Sequence, residues 1–509
     1  MNYQDFNNTE RWLIIVAVMA ATLMEVLDTT IINVALPYMQ GSLNAAPDQI
    51  SWTLTSYMVT SGIFMPLAGY FSDRLGRRQY LLYCIGGFTL ASMFCGASTS
   101  LAEMVIFRLL QGAFGAGLIP LSQAIMTDIH SPQDRGKAMA IWGAGVMVGP
   151  ILGPTLGGYL TDVANWRWAF YVNVPIGIAA AMLAYKVVPD TIQKLRKMDW
   201  LGLGLISFGI GSLQFVLDRG NQDNWFSSTG IQLAAFLAVV CFAAFIFRNV
   251  ERKEHAVFDL EIFKDRNFTV ATLLMVIMGL GLYGSMVVQP LLLEELMNYP
   301  VLLTGLSMAP RGVASMISMI IVSKIIGKVD PRILVAFGIM LFAVGTSINT
   351  YYSQDTSLMW FIWPLLLQGL GLGMVFVPLS TLAFSSLPVH LRVEAAGLYS
   401  LLRTIGGSMG IAITVTIWTR HTQIAWNELG AHIQANNPAV SNYLQSLHLQ
   451  ATDPQGAAVL ANTLLQQAQM VAFVSVYAFV AWSFLLMLPF LLLFKYKKPE
   501  NETVSFDAH

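Results

Sequence analysis

The sequence predicts an all-α integral membrane protein whose chain crosses the bilayer fourteen times. Three observations lead there. Of 509 residues, 55% are hydrophobic and only 11% charged, against about 25% charged in an ordinary soluble domain. The apolar residues come in runs of roughly twenty, the number a helix needs to cross the hydrocarbon core. Lysine and arginine fall almost wholly in alternate segments between those runs, the pattern of a chain that repeatedly changes sides.

Bounded by charge or turn residues, the spans are expected at 12–36, 50–71, 80–97, 101–126, 137–160, 168–188, 199–217, 230–247, 268–293, 303–323, 333–350, 358–384, 395–418 and 470–494. With the N-terminus inside, 22 of the 28 basic residues lie in inner segments. Three (Arg167, Arg219, Arg420) lie in outer segments, and three (Arg108, Arg311, Arg403) inside spans. That asymmetry predicts cytoplasmic N- and C-termini. It also supports the span count, since one missed span would invert every side after it. The polar first eleven residues and the length of the first span argue against a cleavable signal. A net charge of −1 gives no reason to expect a nucleic-acid partner. Cys84, Cys95 and Cys241 sit in apolar runs and read as small packing residues.

The first span holds two carboxylates, Glu25 and Asp28. Acids at membrane depth are expensive and mark functional sites. At about 1.5 Å per residue, Asp28 stands ~6 Å above the midplane, Glu25 ~1–2 Å above it, and Arg108 of the fourth span ~8 Å above it. Asp28 and Arg108 therefore share a depth. Burial, the second acid and the arginine act in opposite senses on a carboxyl there, so such a site can change protonation as water access changes. Asp28 is the expected proton-coupling acid, with Arg108 its partner. Three roles are open to Glu25: proton site, cation site or hydrated cavity group.

After the second span come Gly69, Asp73, Arg74, Gly76, Arg77 and Arg78, a tight inner turn whose acid can accept hydrogen bonds from a helix N-terminus or pair with a basic neighbour across the two halves. A worn copy, Gly327, Asp330 and Arg332, follows the tenth span. Gln111-Gly112 before Pro120-Leu121-Ser122 is echoed by Gln368-Gly369 before Pro378-Leu379-Ser380. An internal repeat that pairs the fourth span with the twelfth gives two six-span bundles, 1–188 and 268–509, and an inserted pair with its linkers, 189–267. In the fifth span Gly145, Gly149, Gly153 and Gly157, with Gly158 beside them, make a smooth face for close helix approach. Pro150 and Pro154 there interrupt the hydrogen-bond ladder and predict a bend.

The turn resembles the signature loop of the major facilitator superfamily. Leu27-Asp28-Thr29-Thr30-Ile31-Ile32-Asn33-Val34-Ala35-Leu36-Pro37 is similar to the first-span motif of its fourteen-span drug:proton antiporters. Trp166-Arg167-Trp168-Ala169-Phe170-Tyr171-Val172-Asn173-Val174-Pro175-Ile176-Gly177 is similar to their approach to the sixth span, and the glycine–proline pattern of the fifth span to their antiporter motif. Leu217 to Gly220, Trp225 to Ser228, Asn267 to Thr269 and the long outer segment 419–469 resemble the EmrB-type subgroup of Gram-negative bacteria. The resemblance implies the major facilitator fold, two six-helix bundles plus an inserted pair. It implies a proton-coupled exporter of lipophilic drug-like molecules, working by alternating access in the inner membrane. It also implies a role for Arg108 in proton transfer, a periplasmic adaptor docked at 419–469, and an outer-membrane channel. Glu25 is not part of the family motif.

Asn33, Trp52, Tyr57, Met58, Gln111, Arg311 and Arg403 are candidates to line the substrate cavity, as polar, aromatic or adaptable groups at membrane depth. Energy is expected from the proton gradient with no cofactor: the chain has no phosphate-binding loop, its histidines lack metal spacing, and no nucleophile triad can be assembled. Two other readings remain at this stage. One is export of a single metabolite, lipid or siderophore on the same fold; the other is a channel or sensor.

Overall fold

The computed structural model describes residues 6–46, 49–131, 134–191, 193, 199–251, 259–388, 391–434, 437–450 and 453–495. The inner basic residues Lys194, Arg196, Lys197, Arg252, Lys253, Lys497 and Lys498 lie outside them. So do the side chains of Asn33, Pro150 and Pro154. Thirteen helices of the described chain are long and apolar enough to cross a membrane. The second expected span is also helical but is broken into shorter pieces, and with it the spans number fourteen.

In chain order they are α1 (Asn8–Ser42), α2 (Trp52–Phe64, Met65–Leu67 and Ala68–Leu75), α3 (Arg77–Ala97), α4 (Leu101–Gly115 and Leu118–Asp128), α5 (Arg135–Val163), α6 (Trp168–Tyr171 and Asn173–Val187) and α7 (Trp200–Arg219). There follow α8 (Thr229–Glu251), α9 (Arg266–Leu291), α10 (Val301–Ile325), α11 (Pro331–Ile348), α12 (Leu358–Ser385), α13 (Arg392–Gly430) and α14 (Pro454–Leu485). Local chemistry sets the ends. Asn7 accepts from the Glu10 amide at 2.9 Å while Glu10 accepts from the Asn7 amide at 3.1 Å, a reciprocal cap on α1. Asp330 caps α11 by accepting from the Arg332 amide at 2.9 Å.

Prolines set the interruptions. A proline ring collides with the carbonyl four residues earlier. Four residues before Pro120 is Ala116, where α4 breaks; four before Pro175 is Tyr171, where the first piece of α6 ends. Pro66 tightens α2 into a 3₁₀ turn. The fifth span, where the sequence places its bend, is helical without interruption through residues 150 and 154. The expected smooth face does exist, and its partner is α1. Added Cβ atoms at Gly145, Gly149, Gly153 and Gly157 would stand 2.0 Å from Met19 Cε, 2.4 Å from Val26 Cγ1, 2.1 Å from Thr30 Oγ1 and 2.9 Å from the Ile31 carbonyl. The Thr30 hydroxyl can accordingly donate to the Gly149 carbonyl at 3.3 Å. Gly158 is half-buried.

α1 packs on α5 and α6, and α2 and α3 on α4; after the inserted pair, α9 packs on α13, α10 on α12 and α12 on α11. The first set meets the second along α5–α10 and α2–α13. The inserted α7 lies against α2 and α13 and ties to both. Thr55 Oγ1 of α2 donates to Asp218 at 2.9 Å, and Gln214 donates to Ser408 of α13 at 3.0 Å. The segment 419–469 is mostly helix. α13 runs for 39 residues, about 58 Å at the usual rise, so it continues well beyond a core of about 30 Å. A short helix, Pro438–Ser446, and the start of α14 complete a helical platform.

Candidate functional site

Asp28 is fully buried on α1. Arg108 Nη1 of α4 donates to its Oδ2 at 2.6 Å. Gln111 Nε2, one turn on, and Asn173 Nδ2 of α6 donate to its Oδ1 at 2.8 and 2.9 Å. The proline break in α6 begins a new helical piece at Asn173, and that places the amide where it reaches both Asp28 and Ser92 of α3, the latter at 3.1 Å. Arg108 is fully buried as well. Its Nε donates to the Thr53 carbonyl at 3.0 Å, its Nη1 to Gln111 Oε1 at 2.8 Å, and its guanidinium lies 4.3 Å from the centre of the Tyr57 ring. A carboxylate and a guanidinium this deep are tolerable only because each is paired and hydrogen-bonded.

Next to this pair, where the first six helices face the last six, is a cavity of about 200 Å³. Its walls include Met58, Met65, Met147, Met278 and Met286, with Tyr57, Tyr283 and Phe376. Flexible thioethers and aromatic faces suit ligands of varied shape. Its charged lining is Glu25 from α1, Arg311 from α10 and Arg403 from α13. Glu25 Oε2 closes no well-formed hydrogen bond; the Arg403 guanidinium acts on the carboxyl through its charge, and the Tyr57 hydroxyl faces it. Arg311 donates to Ser285 of α9 at 3.2 Å.

The two acids of the first span therefore part company: Asp28 points into the helix bundle and Glu25 into the cavity. Of the other cavity candidates, Tyr57, Met58, Arg311 and Arg403 line it. Gln111 does not, being spent on Asp28 and Arg108. Trp52 sits 40% exposed at the start of α2, with its ring 5.9 Å from the Arg219 guanidinium, outside the cavity lining. Asn33 has its side chain outside the described residues.

One end of the cavity is closed at the turn from Gly69 to Arg78. Gly76 has φ +85°, a backbone only glycine adopts freely. An added Cβ at Gly69 would stand 2.8 Å from Glu394 Cβ of α13, and one at Gly397 would stand 2.6 Å from the Met65 carbonyl. Arg77 pairs with Asp128 at the end of α4, and Arg392 of α13 donates to the other oxygen of the same carboxylate at 2.7 Å. Arg74 donates to the Tyr70 hydroxyl at 2.6 Å, Arg78 reaches Asp190 at 3.5 Å, and Asp73 is half-buried. The cross-molecule pair that the sequence assigns to the acid of this turn is, among the described residues, made by Asp128. Sequence reasoning missed Asp128, Arg392 and Asn173. Asn173 stood inside a quoted motif; Asp128 offered only its place at the inner end of the fourth span.

The repeat is visible in the packing. An added Cβ at Gly112 would stand 2.5 Å from the Tyr57 carbonyl, and one at Gly369 would stand 2.1 Å from the Arg311 carbonyl. The fourth span rests on the second as the twelfth rests on the tenth. The sequence profile of the Major Facilitator Superfamily matches residues 18–411. The chain belongs to the major facilitator superfamily. Within it, the sequence is 35% identical over 477 residues to the multidrug export protein EmrB of Escherichia coli, with 93% of each chain covered. It is 34% identical over 482 residues to EmrB of Haemophilus influenzae, again with 93% of each covered. It is 33% identical to the fatty acid resistance protein FarB of Neisseria gonorrhoeae, covering 93% of this chain and 94% of that one. The human organic anion transporter MFSD10 has a similar structure, with a TM-score of 0.61, 17% identity, and coverage of 94% and 99%. That likeness concerns the fold alone. The protein is thus a multi-pass superfamily transporter with a buried carboxylate–guanidinium pair beside a methionine-lined cavity.

Proposed function

We propose that the protein is a drug:proton antiporter that exports lipophilic small molecules across the inner membrane by alternating access. The observation that carries this is the adjacency of the Asp28–Arg108 pair to the cavity. A carboxylate that can take up a proton stands one side chain away from an apolar chamber between the two halves. The multidrug and resistance names of relatives that align over nearly the whole chain support the drug class.

In this reading, an outside proton neutralises Asp28 and frees Arg108, drug leaves outward, and the return inward releases the proton. Each elementary charge moved down 100 mV supplies about 2.3 kcal/mol; no cofactor takes part. The distribution of basic residues supports a cytoplasmic turn and cytoplasmic termini; in that orientation the closed end described above faces inward. The helical platform at 419–469 then projects into the periplasm, a fitting surface for an adaptor that leads to an outer-membrane channel.

The test is dye efflux from proteoliposomes with an imposed pH gradient. Wild type is expected to move dye uphill only with the gradient, and Asp28→Asn to bind dye without moving it uphill. Gradient-independent transport by wild type would sink the antiporter reading. Cross-linking from cysteines placed in Pro438–Ser446 should capture the adaptor; efflux across both membranes without such capture would remove that part.

A further inference from the structure

Tyr57 is the side chain, among the described residues, that both lines the cavity and packs its ring on Arg108. Its backbone is fixed. The carbonyl abuts Gly112 so closely that a Cβ there would stand 2.5 Å away, and the neighbouring turn of α2 gives its Thr53 carbonyl to Arg108. Its ring is less constrained. It lies along a slot cut by glycines, with the hydroxyl 2.8 Å from where a Cβ on Gly115 would be, and that hydroxyl faces the Glu25 carboxyl without closing a well-formed hydrogen bond to it. The Nη2 of Arg108 has no hydrogen-bond partner. A ring whose tip is held only loosely, by Glu25, on a backbone that is locked, can tilt without moving the helix.

We propose that Tyr57 is the positioning residue that couples cavity occupancy to the protonation of Asp28, by being shared between Arg108 and the ligand. The inference rests on the antiporter reading. While Asp28 is ionised, it holds Arg108 through a charge-assisted hydrogen bond, and the ring is available to stack on a lipophilic ligand. When Asp28 takes up a proton, Arg108 loses its anion. Its Thr53 and Gln111 acceptors stay in place while the pull of Asp28 is gone, so the guanidinium settles more closely on the π face of Tyr57, and the ring is drawn into the slot and away from the ligand. Ligand and proton therefore disfavour each other, and by linkage each lowers the affinity for the other by the same factor.

The groups facing Asp28 are few. Arg108 and Gln111 come from α4, Asn173 from α6, Cys95 from α3, Tyr57 from α2 and Glu25 from its own helix. Of the charged ones, Glu25 shares the cavity, so it is the control that must be separated from Tyr57.

The experiment measures equilibrium binding of a neutral fluorescent dye to the purified full-length protein across pH. Wild type should bind about tenfold tighter at high pH than at low pH, a typical coupling between two sites. Asp28→Asn should be flat. Tyr57→Leu should still bind but lose the pH dependence, Tyr57→Phe should restore it because the ring is kept, and Glu25→Gln should retain most of it. Gly115→Ala, which crowds the tip of the ring without altering a polar group, should reduce it, and this variant decides the matter if Tyr57→Leu does not fold. A Tyr57→Leu or Gly115→Ala protein with the full wild-type pH dependence would overturn the proposal while leaving the antiporter intact. A wild type with pH-independent binding would overturn both.

Discussion

The two halves of the molecule share a frame and differ in chemistry. In each, a Gln-Gly helix rests on the carbonyl of its neighbour, Gly112 on Tyr57 and Gly369 on Arg311. Around the first contact stand two carboxylates and a guanidinium, with Asp28 satisfied by three donors. Around the second stands Arg311, whose described hydrogen bond goes to Ser285; Gln289 of α9 accepts from Tyr477 at 2.9 Å, and both are neutral at ordinary pH. The first half sets a carboxylate against a paired guanidinium, the arrangement the proposed proton exchange needs. The second offers fixed positive charge to the cavity. A duplicated fold has thus kept the packing that glycine imposes on backbones while its ionisable chemistry has become one-sided.

The sharpest way to break this comparison is to remove the two cations. Arg108→Met leaves Asp28 buried without its partner, an arrangement that costs about 3–5 kcal/mol. Arg311→Met removes a cation from a cavity wall and one hydrogen bond, a loss of about 1 kcal/mol. Thermal unfolding in detergent should therefore fall far more for the first, and adding Asp28→Asn to Arg108→Met should recover much of the loss. Equal losses for the two single variants would refute the claim that Arg108, and not Arg311, stands in a structural ion pair at its Gln-Gly contact.

A charge change at the closed end should come next. Asp128→Asn weakens two guanidinium contacts at once, one from each half. Ligand binding should be retained while a cysteine placed at Met65 becomes several-fold more reactive towards a water-soluble thiol reagent. Unchanged reactivity would show that glycine packing alone keeps that end shut.

Gly112→Ala and Gly369→Ala address the shared frame directly. Each puts a methyl group against a backbone carbonyl that cannot retreat cheaply, so both should destabilise by about 1–3 kcal/mol. On the proposed function, Gly112→Ala should also alter the pH dependence of efflux and Gly369→Ala should not, because the neighbour of Gly112 is Tyr57, which packs on Arg108. The smallest effect belongs to the inserted pair. Thr55→Val removes the hydrogen bond from α2 to Asp218, worth about 0.5–1.5 kcal/mol, and efflux should change less than twofold.

Much of this was legible before any coordinates. Hydropathy located every span, since the cost of exposing backbone to hydrocarbon leaves long apolar helices as the solution. Rise per residue placed Asp28 and Arg108 at one depth, and the structure brings them into contact at 2.6 Å. Glycine spacing in the fifth span announced a close neighbour but could not say that it was α1. Trp52, chosen for its place near the first span, turned away from the cavity because a depth estimate carries no information about helix rotation.

What the sequence determined by itself was therefore the one-dimensional content: how many times the chain crosses, which charges lie at which depth, and which faces are smooth. The tertiary structure decided which way each face turns. Glu25 and Asp28 are three residues apart, about one helical turn, and composition treats them alike. Packing against α4 and α6 sent one to Arg108, Gln111 and Asn173, while the gap between the halves received the other. Asp128 became the bridge to Arg77 and Arg392 for the same reason. Partners separated by 264 positions in the chain are set by how whole helices rotate and cross, and no local pattern records that.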